Sequence, residues 1–177
     1  AFILQHESDD PTKLILKSPD VYGVPMARVV DQIEGRRKAK EKLPSYYNTK
    51  EIVLPAAVSL EQSSSESTAK FKSGILSQKI SRRSLCVDLT GGLGIDTFFL
   101  SKVFDRVDYV EPNAELLEIA KHNHLKLGAR NIAHQNVSSS VYLDSSDSSI
   151  DCAYIDPSRR DAHNRKVSSL ASCEPNV

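Results

Sequence analysis

Residues 87–96, VDLTGGLGID, constrain the fold of this chain more than any other stretch. SLCVDL (84–89) reads as a strand, GGLG (91–94) as a turn and IDTFFLSKV (95–103) as a helix. A strand that runs into a glycine-rich turn and then directly into a helix is a ligand cradle. Glycine lets backbone pass close to a bound group, and the helix start offers unpaired N–H groups. The turn alone is a weak signal; the strand before it and the helix after it are the context it requires.

The flanking sequence repeats the alternation. RVDYVE (106–111) reads as a second strand and AELLEIAKHNHLKLG (114–128) as a helix, with Leu116, Leu117, Ala120 and Leu127 apolar at helical spacing and Gly128 at its end. NIAHQ (131–135) is a weak third strand, VSSSVYL (137–143) a short helix or turn, SSDSS (145–149) a solvated loop, and SIDCAYID (149–156) a strong fourth strand. The pattern is βαβαβ, an α/β fold with a parallel sheet. Upstream, Ser63 and Glu66 have capping-box spacing, and Phe71 and Ile75 lie four apart, so a helix is expected over 64–77. Residues 1–60 have another texture, mostly helical but irregular, with prolines at 11, 19, 25, 44 and 55. Met26, Val29, Val30 and Ile33 mark one helix there, which Pro44 should end. The expected division is 1–60 and 61–177.

Charge excludes little. Lys plus Arg and Asp plus Glu are 23 each, so a nucleic-acid contact would need local basic patches. Two exist: Arg36, Arg37, Lys38, Lys40 and Lys42, and Arg159, Arg160, Arg165 and Lys166. The first reads either as a solvated helix end, where cations suit the dipole, or as a phosphate contact. No apolar run is long enough to cross a membrane, and the N-terminus lacks a signal-peptide pattern. Cys86, Cys152 and Cys173 form no C-x-x-C pair and lack histidines at metal spacing, so no metal site is expected and a reduced cytoplasmic protein is. Cys86 and Cys152 lie in apolar runs and should be buried.

Three positions carry chemistry. Asp88 ends the first strand just before the turn; an acid there repels a pyrophosphate and attracts the amino group of a methionine moiety. Thr97 also stands where a dinucleotide turn needs a third small residue. Both favour S-adenosylmethionine over NAD or FAD. Glu111 ends the second strand, where a carboxylate can accept from a ribose diol or, alternatively, cap the next helix. Asp156-Pro157 ends the fourth strand; Asp156 can orient a nucleophilic amine, and Pro157 keeps the turn rigid. Arg159 and Arg160 follow as candidate substrate contacts, or as solvated charges of a plain turn.

In order and spacing, the Asp88…Gly92-x-Gly94 turn, Glu111 and Asp156-Pro157 resemble motifs I, II and IV of class I S-adenosylmethionine-dependent methyltransferases. The resemblance covers about 66–166. More narrowly, EQSSSESTAKFKSG, VDLTGGLGIDTFFLS, YVEPN and YIDPSRRD look like a bacterial methyltransferase family with a C-terminal THUMP-like domain, similar also to the RNA cap guanine-N2 methyltransferases. It implies that Asp88, Gly92 and Gly94, with Thr90 and Asp96 of the same turn, hold the methionine and ribose side of the cofactor. Glu111 would take the ribose hydroxyls and Asn136 would stand at the adenine. Asp156 and Pro157 would occupy the place of the amine-modifying [D/N]-P-P-aromatic turn. The departures are Thr90 at the first motif glycine, Asn136 for an acid, and Ser158-Arg159 for proline-aromatic.

The resemblance also implies a seven-stranded sheet in the order 3-2-1-4-5-7-6. Four strands are legible and only 21 residues follow Asp156, so a Rossmann-like sheet truncated after strand four is expected. Strand four would then be a bare apolar edge, inviting self-association. The leading expectation is a methyltransferase acting on an RNA base. A protein or small-molecule substrate, a non-catalytic S-adenosylmethionine- or nucleic-acid-binding module, and a nicotinamide-dependent oxidoreductase stay open.

Overall fold

A computed structural model describes residues 1–54, 60–61, 63–146 and 149–157. The N-terminal region contains α1 (Phe2–Gln5), α2 (Pro11–Lys17), a two-stranded antiparallel hairpin of β1 (Asp20–Val21) and β2 (Val24–Pro25), and α3 (Met26–Lys42). Asp10 caps α2 by accepting from the Thr12 amide, with Pro11 in the first turn. Met26, Val29, Val30 and Ile33 of α3 are buried together with Leu14 of α2, as their spacing predicts. The chain leaves α3 at Leu43, and Pro44 opens α4 (Pro44–Asn48). The hairpin has no clear mark in the sequence beyond the turn at Tyr22-Gly23, both at positive φ.

Helix α5 (Glu66–Lys79) differs from its expected form in two ways. Its cap is Ser65, whose hydroxyl accepts from the Thr68 amide; Ser63 instead donates to the Leu60 carbonyl. Glu66 is drawn away from any capping box. It is buried and accepts from both the Ser45 amide and hydroxyl at 2.7 Å, and it pairs with Lys70 at 2.6 Å. The second difference is the buried face, which carries Ala69 and Ser73, while Phe71 is 70% exposed and Ile75 is exposed as well. Spacing marked a helical face correctly, but the packed side was the one with small residues.

The sheet then follows: β3 (Leu85–Asp88), α6 (Ile95–Leu100), β4 (Arg106–Val110), α7 (Ala114–Lys126), β5 (Ile132–Gln135), α8 (Ser139–Ser145) and β6 (Cys152–Tyr154). All four strands are parallel, in the order β5-β4-β3-β6. This is the expected βαβαβ plan with the first expected strand, β3, inside the sheet. Its four residues are all buried, as a strand covered on both faces requires. Helix α6 is shorter than expected: regular helix ends at Leu100 and residues 101–103 continue as turns. Gly128 at φ +81° lies just past Leu127, the C-cap of α7. Cys86 is fully buried, but its cross-strand partner Cys152 is only half-buried, because β6 is the edge of the described sheet.

One core cluster reaches from the N-terminal region into the sheet domain. Ala39, Leu43, Tyr46, Ile52, Leu54 and Leu60 pack with Ala69 and with Leu93, Ile95, Phe98 and Phe99. The helix that follows the glycine turn is thus held from outside by α3, α4 and α5.

The first basic cluster is mostly engaged inside the protein, with Lys40 and Lys42 in the last turn of α3. Arg36 pairs with Glu7 at 3.3 Å and lies over the Tyr47 ring. Arg37 donates to the carbonyls of Glu7 and Asp9, and Lys38 pairs with Glu61. Lys42 donates to the carbonyls of Leu60 and Glu61 at 2.8 Å each. These cations tie the first residues and the 60–61 segment to α3.

Candidate functional site

Strand β3 delivers Asp88 to the carboxyl edge of the sheet between two tyrosines, Tyr109 of β4 and Tyr154 of β6, its register partners. The turn after it is pinned to both neighbouring strands. The Leu89 amide donates to the Tyr154 carbonyl and the Gly91 amide to the Val110 carbonyl, each at 3.0 Å. Gly92 and Gly94 have φ of +52° and +71°, which L side chains rarely adopt. Gly91 is needed for another reason: a Cβ there would lie 2.3 Å from the Tyr109 ring. Thr90, at the first motif glycine, is absent from the positive-φ residues and uses its side chain. Its Oγ1 accepts from the Asp156 amide at 2.7 Å, tying the turn to the end of β6.

Asp88 is only 1% exposed. It accepts from the Thr90 amide at 3.1 Å and from the Thr97 hydroxyl at 2.5 Å. Burial pushes its carboxyl up to about 7. The hydrogen bonds oppose that rise, and the carboxylates of Asp96 and Asp156 add to it. Asp88 therefore lies beneath the turn and acts on its surroundings through its field and through Thr90. Thr97, noted in the sequence only as the wrong residue for a dinucleotide turn, is the donor that holds this acid.

Glu111 follows β4 and bridges two backbone segments. One carboxylate oxygen accepts from the Gly92 amide and the other from the Asn113 amide, both at 2.8 Å. Burial raises its carboxyl above the ordinary range, against those two bonds. Asn113 itself caps α7 through the amides of Glu115 and Leu116, so the helix-capping role belongs to Asn113 and not to Glu111. Asn136, just past β5, donates to the carbonyls of Glu111 and Pro112 and thereby holds the loop that carries Glu111.

Asp156 stands past the end of β6 with its carboxylate 3.1 Å from the Lys72 ammonium of α5. The same ammonium donates to the Tyr154 hydroxyl at 2.5 Å and the Ser64 hydroxyl at 3.0 Å, and pairs with Asp96 at 3.4 Å. Asp96, in the first turn of α6, has an otherwise unbonded buried Oδ1. Pro157 is half-buried at the end of the described chain; Arg159, Arg160, Arg165 and Lys166 lie outside the described residues, as does Cys173. The structure thus brings Asp88, Thr90, Gly92, Gly94, Asp96, Glu111 and Asp156 to one edge of the sheet, with Asn136 behind Glu111. Among the described residues, no group of His, Cys, Asp and Glu has the geometry of a metal site.

Sequence reasoning passed over four residues here. In the sequence Lys72 is only one residue of the helix expected over 64–77. In the sequence Tyr109 and Tyr154 are only strand residues, yet the Tyr109 hydroxyl donates to the Gly92 carbonyl at 2.5 Å. His124 of α7 supports the turn from below. Its Nε2 lies 2.8 Å from the Gly94 carbonyl, which can only accept, so Nε2 carries the proton. Its Nδ1 must then accept from His134 Nε2 at 2.9 Å. Burial holds the His124 imidazole down at about 4, so it is neutral at physiological pH.

No family model matches the sequence, and no curated protein matches it. Solved structures do. Over 99% of its length the chain is similar to a protein of Porphyromonas gingivalis W83 described provisionally as a methyltransferase, at 31% identity and a TM-score of 0.76, and it spans 42% of that chain. An rRNA methylase of Streptococcus thermophilus aligns at 22% identity over 47% of this chain and 50% of its own, with a TM-score of 0.43. A Streptococcus mutans protein, also provisionally a methyltransferase and solved with SAH, aligns at 23% identity over 48% of each chain, with a TM-score of 0.43. The sheet order β5-β4-β3-β6, with the glycine turn after β3, is that of the Rossmann-like methyltransferase fold.

Proposed function

We propose that this chain carries the cofactor-binding part of an S-adenosylmethionine-dependent methyltransferase whose substrate is an amine on an RNA base. One observation carries the cofactor reading: Asp88, Glu111 and Asp156 converge at the carboxyl ends of three adjacent parallel strands, around a glycine turn that Glu111 and Thr90 hold in place. Ligands of open parallel sheets lie at that edge. The acid-lined cradle suits a ligand with an ammonium and a sulfonium and opposes the pyrophosphate of a dinucleotide. Each Glu111 oxygen accepts one amide and retains a lone pair for a ribose hydroxyl. Thr90, Gly92 and Gly94 line the turn, Asp96 adds to its acidity, and Asn136 fixes the Glu111 loop near the expected adenine end.

Bound there, the cofactor supplies a methyl group already made electrophilic by its sulfonium. The protein's part is positioning. Asp156 accepts a hydrogen bond from the target amine and orients its lone pair, and Pro157 restrains the turn that carries Asp156. Arg159 and Arg160 supply phosphate contacts. The RNA substrate rests on that second basic cluster and on the narrower resemblance to the THUMP-containing and cap guanine-N2 families, since the first cluster is engaged internally. A cytoplasmic location belongs to the same reading: Cys86 and Cys152 are register partners and both are free thiols. Among the described residues no helix is long and apolar enough to cross a membrane.

Isothermal titration with S-adenosylmethionine, and separately with NAD, tests the cofactor. Heat with the first alone, lost in Asp88→Ala, is the expected outcome; heat with NAD, or with neither, refutes it. Transfer of labelled methyl to RNA by the protein tests the substrate. Label appearing only in protein or small molecules would overturn the RNA assignment.

A further inference from the structure

Lys72 is the cation of an otherwise acidic rim. Its ammonium meets Asp156 at 3.1 Å, the Tyr154 hydroxyl at 2.5 Å, the Ser64 hydroxyl at 3.0 Å and Asp96 at 3.4 Å, and it stands 5.2 Å from the centre of the Tyr154 ring. An ammonium has three protons to give, and Ser64, Tyr154 and Asp156 take them. Asp96 is then held by charge alone, which accounts for its buried Oδ1 having no hydrogen-bond donor. Lys72 arrives from α5, an element outside the strand-turn-helix unit, and it is less than one-third exposed. Its site lies directly against the glycine turn, because the Asp156 amide donates to Thr90.

We propose that Lys72 is a positioning residue that holds the Asp156 carboxylate in place and, by offsetting Asp96 and Asp156, sets how strongly the site prefers a positively charged methyl donor over its neutral demethylated product. This rests on the cofactor reading above. The two ligands differ in the sulfonium charge, which becomes a neutral thioether once the methyl group has left. A site carrying two uncompensated carboxylates beside that sulfur would hold the donor more tightly than the product. The Lys72 charge levels the two, so that product can leave.

The test is calorimetric titration of wild type, Lys72→Met, Lys72→Arg and Asp156→Asn with S-adenosylmethionine and with S-adenosylhomocysteine. In Lys72→Met the donor-to-product affinity ratio should rise by roughly three- to tenfold, the effect of one screened unit charge within about a Debye length. Lys72→Arg should restore the wild-type ratio, which a purely structural loss would not produce. Asp156→Asn should move the ratio the other way, and it keeps the idea testable if Lys72→Met does not fold. If both ligands weaken alike in Lys72→Met, or the ratio stays put in both Lys72→Met and Asp156→Asn, the inference is overturned while the cofactor reading stands. A wild type that binds neither ligand removes both.

Discussion

Asp88→Asn should make the protein more stable at neutral and alkaline pH while damaging its cofactor site. The buried Asp88 carboxyl titrates at about 7 instead of 3.8. Below 3.8 the folded and unfolded chains are both protonated there, and the group contributes nothing. As pH rises from 3.8 to about 7, the unfolded chain gives up a proton that the folded chain keeps, so stability falls. The full loss is about 4 kcal/mol, at about 1.4 kcal/mol per pH unit. His124 does the reverse. Its imidazole is held down at about 4 from 6.5, so its contribution is complete above 6.5 and is lost as pH falls toward 4, about 3 kcal/mol in all. Across the shared window the two slopes cancel, and their combined contribution to stability is nearly flat. Substitution uncovers each slope. Chemical denaturation at about pH 4 and about pH 8 gives a double difference in which any pH-independent cost of the new side chain drops out. Relative to wild type, Asp88→Asn should gain about 4 kcal/mol between the two pH values, and His124→Gln should lose about 3 kcal/mol. An Asp88→Asn difference that is independent of pH would refute the burial argument for Asp88.

Three further outcomes are expected. Gly94→Ala forces a φ of +71° on a residue with a Cβ and puts that Cβ 2.5 Å from His124 Nε2, so it should cost about 2–4 kcal/mol in denaturation; a loss under about 1 kcal/mol would mean the turn relaxes freely. Glu111→Gln keeps an acceptor for only one of the two amides and should weaken cofactor binding about tenfold or more with the fold intact by circular dichroism; unchanged affinity would remove Glu111 from the site. Asp156→Ala should still bind cofactor in calorimetry, with only its donor-to-product ratio shifted, and should lose methyl transfer; unchanged turnover would sink its role.

What was legible in the sequence was whatever local periodicity and turn chemistry dictate. The strand through Val87, the glycine turn after it and the four-strand alternation are local facts, and each appeared where it was expected. What was hidden depends on contacts between distant segments. Ser63 and Glu66 have capping-box spacing, but Glu66 has a better partner in Ser45, 21 residues upstream. The cations at 36–42 look like a free patch until Glu7, Asp9 and Glu61 fold onto them. Phe71 and Ile75 mark a helical face in the sequence, yet the core accepts the small Ala69 and Ser73 instead. The role of Lys72 is of the same kind, because its partners come from α6 and from the end of β6.

The site carboxylates also explain why the supporting residues are so closely specified. Asp88, Asp96, Glu111 and Asp156 share one edge, and burial, helped at Asp88 by its like-charged neighbours, pushes two of them toward their neutral forms. A fold selected only for stability would place apolar side chains under that turn, since a buried acid with nothing cationic to meet costs free energy. Here the acids are instead furnished with partners: Thr90 and Thr97 donate to Asp88, two backbone amides to Glu111 and Lys72 to Asp156, while Asp96 meets the Lys72 ammonium as an ion pair at 3.4 Å. The donors keep the carboxylates in place, and burial keeps a residual demand for positive charge. A cationic ligand meets that demand when it binds, so the same burial that destabilises the empty protein strengthens its grip on a sulfonium. That places the cost of Asp88 and the affinity for the cofactor in one term, and Asp88→Asn should therefore lose in binding part of what it gains in stability.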